Sequence, residues 1–233
     1  KAMMEQFMGP NSPGGQALSL NGAFGVDGAF NRRDVHAAEI PAANCITNAP
    51  SLARDGFPEI LLLDTDLKAD PRQTAVWHTD VTFTENPPIG SLFVMEIAAQ
   101  SGGDTMWSNQ IKALAALSAP IREFIGGLSA NHGRPPATGT AVHPMVREHH
   151  STGEKVLFVN RGWTNSIVGL KPLESMHLLE VIHQTSERPE LQTRWKWTSG
   201  DAALWDNRYT MHYAVNDYHG QRRRARRATI YNV

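Results

Sequence analysis

AVWHTDVTF, residues 75–83, is the stretch on which the fold and the chemistry of this chain turn. Its aromatic and β-branched residues read as a strand, and in a strand His78 and Asp80 leave the same face about 7 Å apart along the backbone. An imidazole beside a carboxylate is two thirds of a 2-His-1-carboxylate facial triad, which holds Fe(II) and leaves coordination positions open. A third ligand must come from elsewhere. The candidate is His212, within LWDNRYTMHYAVNDY, another segment that reads as strand.

An H-x-D pair by itself describes equally well two polar residues on a solvent face, so the rest of the chain has to decide. At 233 residues and 41% hydrophobic content, it reads as one globular domain, 1–233, with an irregular segment over 9–50. The net charge of -1 argues against a general nucleic-acid binder. One cysteine, Cys45, excludes an intrachain disulfide framework and fits a reducing compartment. Neither a long apolar run nor a secretory leader is evident, so a cytoplasmic protein without a membrane partner is expected. A homo-oligomer, dimer or tetramer, is also expected.

Outward from the His78 segment, FPEILLLDTD (57–66) reads as a buried strand and SLFVMEIAA (91–99) as another. TMWSNQ leads toward a helix with Ser108 as its N-cap, continued by NQIKALAALS and APIREFIGGL, the latter ended by Gly126 and Gly127. HPMVREHH, the turn STGEK and KVLFVN predict a hairpin, and KPLESMHLLEVIHQTSE (171–187) predicts a helix with its proline in the first turn. LQTRWKWTS, AALWDN and RRATIYNV read as further strands. Strands joined by turns, with helices gathered in two insertions, argue against a doubly wound sheet. A mainly β double-stranded β-helix, the cupin-like jelly roll, with flanking helices fits instead, and its mouth can hold a metal and a small ligand.

QRRRARRATIY raises a parity question. In a strand, Arg223, Arg227 and Thr229 point to one face while Arg222, Arg224 and Arg226 take the other. Only one set can enter the barrel, and inward arginines imply anionic ligands, since a buried guanidinium otherwise costs several kcal/mol. The plainer reading of the run is a basic edge that blocks strand addition, or a nucleic-acid patch.

WHTDVTF, SGGDT at 101–105, FVN-x-GWT at 158–164, WDNR-x-T-x-HYA-x-ND at 205–217 and the two arginines occur in an order that resembles the TauD/TfdA family of 2-oxoglutarate dioxygenases, closest to its sulfonate and sulfate-ester branch. The resemblance runs from about Phe57 to Thr229. It implies that His78, Asp80 and His212 bind Fe(II), that Arg223 grips the distal carboxylate of 2-oxoglutarate, and that Thr105 adds a hydroxyl hydrogen bond. It further implies that Arg227 holds the acidic head of the primary substrate, with Trp163 lining that pocket. Thr74 falls near the position of an asparagine that taurine-using relatives direct at the substrate amine. Those relatives also place a His and a Tyr before the FPEILLLDT strand, where ITNAPSLARDG has neither. The implied reaction consumes 2-oxoglutarate and O2, gives succinate and CO2, and hydroxylates a small anionic organosulfur compound to an adduct that collapses to an aldehyde and sulfate or sulfite.

Other classes remain open to the residues: a taurine or aryloxyalkanoate dioxygenase, a metal-binding jelly roll without turnover, or a zinc hydrolase on the same ligands. A hydrolase has no use for a dicarboxylate clamp, so Arg223 discriminates. His36, His132, His143, His149, His150, His177, His183 and His219 lack partners at ligand spacing and read as surface or core residues. Trp195 and Trp197 read as packing.

Overall fold

The computed structural model describes residues 53–54, 57–65, 75–133 and 139–231. In chain order its strands are β1 (Ala53–Arg54), β2 (Phe57–Thr65), β3 (Gly90–Ile97), β4 (Thr105–Asn109), β5 (Ser129–His132), β6 (Ala141–Pro144) and β7 (Val146–Glu148). There follow β8 (Lys155–Leu157), β9 (Thr164–Ile167), β10 (Gln192–Trp195), β11 (Ala202–Asp206), β12 (Thr210–Ala214) and β13 (Arg223–Ile230). An antiparallel sheet in the order β1-β2-β13-β3-β11 faces a smaller one in the order β10-β4-β12. The β5, β6 and β9 strands make a third sheet, and β7 with β8 forms the expected hairpin.

Aromatic side chains fill the space between the two main sheets. Phe93, Met95, Trp107, Trp197, Trp205 and Ala225 are buried together, with Trp107 and Trp205 at 5.7 Å between ring centroids. Trp195 packs against this cluster. A second core lies under the helices Gln110–Ala116, Ala119–Ile125 and Pro172–Ser186, where Leu114, Ile125, Met145, Leu157, Leu179 and Ile182 meet. The architecture is the jelly roll with flanking helices that the strand pattern predicts. No helix among the described residues is long and apolar enough to cross a membrane.

Three local expectations change. AVWHTDVTF is not a strand: His78 forms a single bridge to His212, and the chain enters a turn at Asp80. TMWSN is β4, and the following helix is capped by Asn109, whose side chain accepts from the Ile111 and Lys112 amides. Ser108 is buried, with its hydroxyl donating to the Ser186 carbonyl at 2.6 Å, because the strand pairing carries it into the core. The basic run is not a sheet edge: β13 lies between β2 and β3, so its backbone is paired on both sides.

Candidate metal centre

His78 and His212 face each other because their backbones exchange two hydrogen bonds, His78 N to His212 O at 3.0 Å and His212 N to His78 O at 2.7 Å. The ring centroids are consequently 4.1 Å apart. Asp80 reaches the same place through a turn. Its amide donates to Asn207 Oδ1 at 2.9 Å, and Asn207 Nδ2 donates back to the Asp80 and Pro88 carbonyls. Val81, the next residue, has φ 57°, a left-handed conformation that costs a β-branched residue about 1–3 kcal/mol and persists only where its surroundings enforce it.

The outcome is convergence. Asp80 Oδ1 lies 3.7 Å from Nε2 of His78 and 3.7 Å from Nε2 of His212. Two atoms bound to one metal at ~2.1 Å can be at most ~4.2 Å apart, so Asp80 is placed to share an ion with either histidine, and the three ligand atoms all lie within 4.8 Å of one another. His78 Nδ1 lies 2.8 Å from the Val76 carbonyl, which fixes the proton there and leaves the Nε2 lone pair facing Asp80. Burial pushes both imidazoles down, His212 to about 3, so both are neutral. Burial alone would raise the Asp80 carboxyl, but Arg227, the two histidines and a hydrogen bond from Ser91 Oγ at 3.0 Å outweigh it and hold the group below the usual carboxylate range. Two neutral imidazoles and an ionised carboxylate are the protonation states a divalent cation requires. His78, Asp80 and His212 therefore fit a metal.

The arginines divide by parity as the strand pattern predicts. Arg222, Arg224 and Arg226 lie on the outer face, paired with Asp64 and Glu96. Arg223 is 8% exposed, and its Nε donates to the Gly103 carbonyl at 3.0 Å. Gly103 permits that approach, since a Cβ there would lie 3.1 Å from Arg223 Cδ at φ +69°. Arg223 lies over Phe93 and Tyr218, and among the described residues it forms no ion pair within 4.0 Å. Phe93 also packs on Trp197, whose indole N–H donates to Thr105 Oγ1 at 2.9 Å. Thr105 accepts from Trp197 and keeps its own proton to donate. Arg227 Nη1 donates to Asp80 Oδ1 at 3.0 Å.

The family profile described as Taurine catabolism dioxygenase TauD, TfdA family matches residues 34–229. The chain belongs to the TauD/TfdA family. Similar TauD/TfdA relatives include the alpha-ketoglutarate-dependent sulfate ester dioxygenase of Pseudomonas putida, 37% identical over 76% of this chain and 65% of that protein. The alkylsulfatase of Acinetobacter baylyi is 33% identical over 76% of this chain and 62% of its own length. Among solved structures, a taurine dioxygenase from Burkholderia xenovorans superposes with a TM-score of 0.71 at 40% identity, covering 77% of this chain and 66% of that one. The chain thus spans just under two thirds of these relatives.

In this TauD/TfdA chain, Trp163 directly follows Gly162, which lies against His78. Gly162 donates its amide to the Trp77 carbonyl at 2.9 Å, and a Cβ on it would lie 2.7 Å from His78 Cβ. The Trp163 ring meets Phe83 edge-on at 4.8 Å. Thr74 lies outside the described residues, as does the segment 9–50. A cavity of about 760 Å³ lies elsewhere, against the helix Pro172–Ser186 and β9, and none of His78, Asp80 or His212 lines it. Sequence reasoning missed Ser91 in β3, which holds the Asp80 carboxylate, and Asn207 in the turn between β11 and β12, which holds its peptide. The WDNR motif contains Asn207, but only its side-chain partners reveal the role. Trp197, read as packing alone, is also a hydrogen-bond donor to Thr105.

Proposed function

We propose that this chain is the core of an Fe(II)- and 2-oxoglutarate-dependent dioxygenase that hydroxylates a small anionic organosulfur substrate, an alkyl sulfate ester or alkanesulfonate. Products are an aldehyde with sulfate or sulfite, together with succinate and CO2. One observation carries the reading beyond a generic metal site: Arg223 is a buried cation with no carboxylate in ion-pair range among the described residues. Such a group requires an anion. A zinc hydrolase on the same three ligands has no need of it.

When bound by His78, Asp80 and His212, Fe(II) with 2-oxoglutarate and O2 supplies the oxidant for a substrate C–H bond. Arg223 fixes the far carboxylate of 2-oxoglutarate, with the Thr105 hydroxyl as a second donor. Arg227, whose Nε is buried with no hydrogen-bond partner among the described residues, receives the acidic head of the primary substrate. Trp163 and Phe83 supply apolar wall, exclude water and keep the substrate carbon in place. The sulfate-ester and alkylsulfatase relatives support a sulfate or sulfonate head over taurine, as does the lack of a His and a Tyr in ITNAPSLARDG. We place the enzyme in the cytoplasm as a homo-oligomer, which light scattering checks.

The test is a panel of alkyl sulfates, alkanesulfonates, taurine and aryloxyalkanoates with Fe(II), 2-oxoglutarate, ascorbate and air, read as succinate together with sulfate or sulfite. Substrate-dependent succinate with matching sulfate or sulfite is expected. Tight Zn(II) binding without succinate from any substrate would favour the hydrolase.

A further inference from the structure

The turn that presents Asp80 is held from behind by groups that the proposed chemistry does not use. Thr82 is fully buried; its hydroxyl lies 2.9 Å from Nδ1 of His132 and accepts from Asn160 Nδ2 at 3.2 Å. Its carbonyl lies 2.8 Å from Nε2 of His143. A carbonyl only accepts and a guanidinium only donates, so with Arg147 Nη2 at 3.0 Å from its Nδ1, His143 is the neutral Nε2–H tautomer. Accepting from Asn160 leaves the Thr82 hydroxyl proton for Nδ1 of His132. The clamp is itself fixed: His132 stacks on Phe158 at 5.9 Å, and the Arg147 guanidinium lies 4.0 Å from the centre of the same ring.

Asn160 joins the two halves of the centre. While its Nδ2 holds Thr82, its Oδ1 accepts from the Trp163 amide at 2.9 Å, in the loop where Gly162 abuts His78. Between Thr82 and Asp80 stands only Val81, at φ 57°. A left-handed valine relaxes unless both flanking peptides are held. Asn207 holds the Asp80 side, and Thr82 is the fixed point on the other.

We propose that Thr82 is a positioning residue for the metal centre: its hydroxyl, clamped by His132 and Asn160, and its carbonyl, held by His143, keep the turn in the conformation that aims Asp80 at His78 and His212. This rests on reading those three residues as the metal site. The role calls for a side chain with a hydroxyl, not merely one of the right shape.

Mn(II) titration calorimetry on the full chain tests it, with the visible spectrum of the Co(II) form as a second readout. Thr82→Val keeps the shape and removes the hydroxyl, and it should weaken Mn(II) binding roughly tenfold and alter the Co(II) bands. Thr82→Ser should restore affinity close to the parent's. If Thr82→Val fails to fold, His132→Leu and His132→Asn ask the same question. The leucine should weaken binding, and the asparagine, which keeps a polar atom near the Nδ1 position, should not. Parental Mn(II) affinity in Thr82→Val, or in a folded His132→Leu, overturns the positioning role and leaves the metal centre standing. A parent chain that binds no Mn(II), or a His78→Ala variant that binds it equally well, overturns both.

Discussion

Arg227 Nη1 and Asp80 Oδ1 are 3.0 Å apart, and that same oxygen lies 3.7 Å from Nε2 of each histidine. The cation proposed to receive the substrate anion is therefore already in contact with a proposed metal ligand. Arg227→Ala should raise the KM for the primary substrate about tenfold to a hundredfold, the worth of a charged hydrogen bond at about 1.5–3 kcal/mol, and change that for 2-oxoglutarate far less. Arg227→Lys should recover part of the loss, because it keeps the charge but not the fork. Initial rates of succinate release against each substrate measure both.

Arg223 is proposed to hold a different anion, the distal carboxylate of 2-oxoglutarate. Its alanine variant should raise the 2-oxoglutarate KM by a similar factor, while Arg222→Ala, Arg224→Ala and Arg226→Ala leave both constants near the parent's. Those three face Asp64 and Glu96 at the surface, where ion pairs contribute little. Equal effects from Arg223→Ala and Arg224→Ala would show that the inward parity is misassigned.

Asn207 makes three buried hydrogen bonds, to the Asp80 amide, the Asp80 carbonyl and the Pro88 carbonyl. Removing it orphans those groups, at about 1–3 kcal/mol for each left unsatisfied. Asn207→Ala should lose about 3 kcal/mol or more in urea unfolding. A loss under about 1 kcal/mol would mean that the clamp is dispensable.

His132 makes stability depend on pH. Burial, with His143 and Arg147 adding to it, pushes its pKa down from 6.5 to about 3. Below about 6.5 the unfolded chain takes up a proton that the folded chain refuses. The contribution is therefore complete above about pH 6.5 and is lost as pH falls toward 3. At pH 5 the loss is about 2 kcal/mol, from 1.36 kcal/mol per unit over about 1.5 units. Urea midpoints at pH 7 and pH 5 should fall less for His132→Asn than for the parent, and equal falls would exclude this source.

Competition in one vessel between taurine and a medium-chain alkyl sulfate gives the ratio of kcat/KM directly. The alkyl sulfate should be favoured, because a buried ammonium without partners costs several kcal/mol, while Trp163 and Phe83, the proposed wall of the substrate site, are apolar. Preference for taurine would sink the assignment of the head group.

Periodicity and residue type determined the jelly-roll class, the helix 172–186, the hairpin around STGEK and the split of the arginines by parity, whereas they offered His212 only as a candidate partner for His78 and Asp80, and the family resemblance carried that grouping. These are legible because side-chain direction alternates along any strand whatever its neighbours, and because a helix and a tight turn are specified by residues close in sequence. Tertiary structure alone decided how the carboxylate arrives. Alternating aromatic and β-branched residues made 75–83 look like a strand, yet among the described residues no strand pairing continues past His78. The Asn207 clamp and the anchoring of Thr82, whose partners lie 127 and between 50 and 78 residues away in sequence, bend the chain at Val81 instead. Histidines 132 and 143 looked idle for the same reason: their partners are in Thr82, 50 and 61 residues distant, and no local pattern records a contact made only when the sheets close.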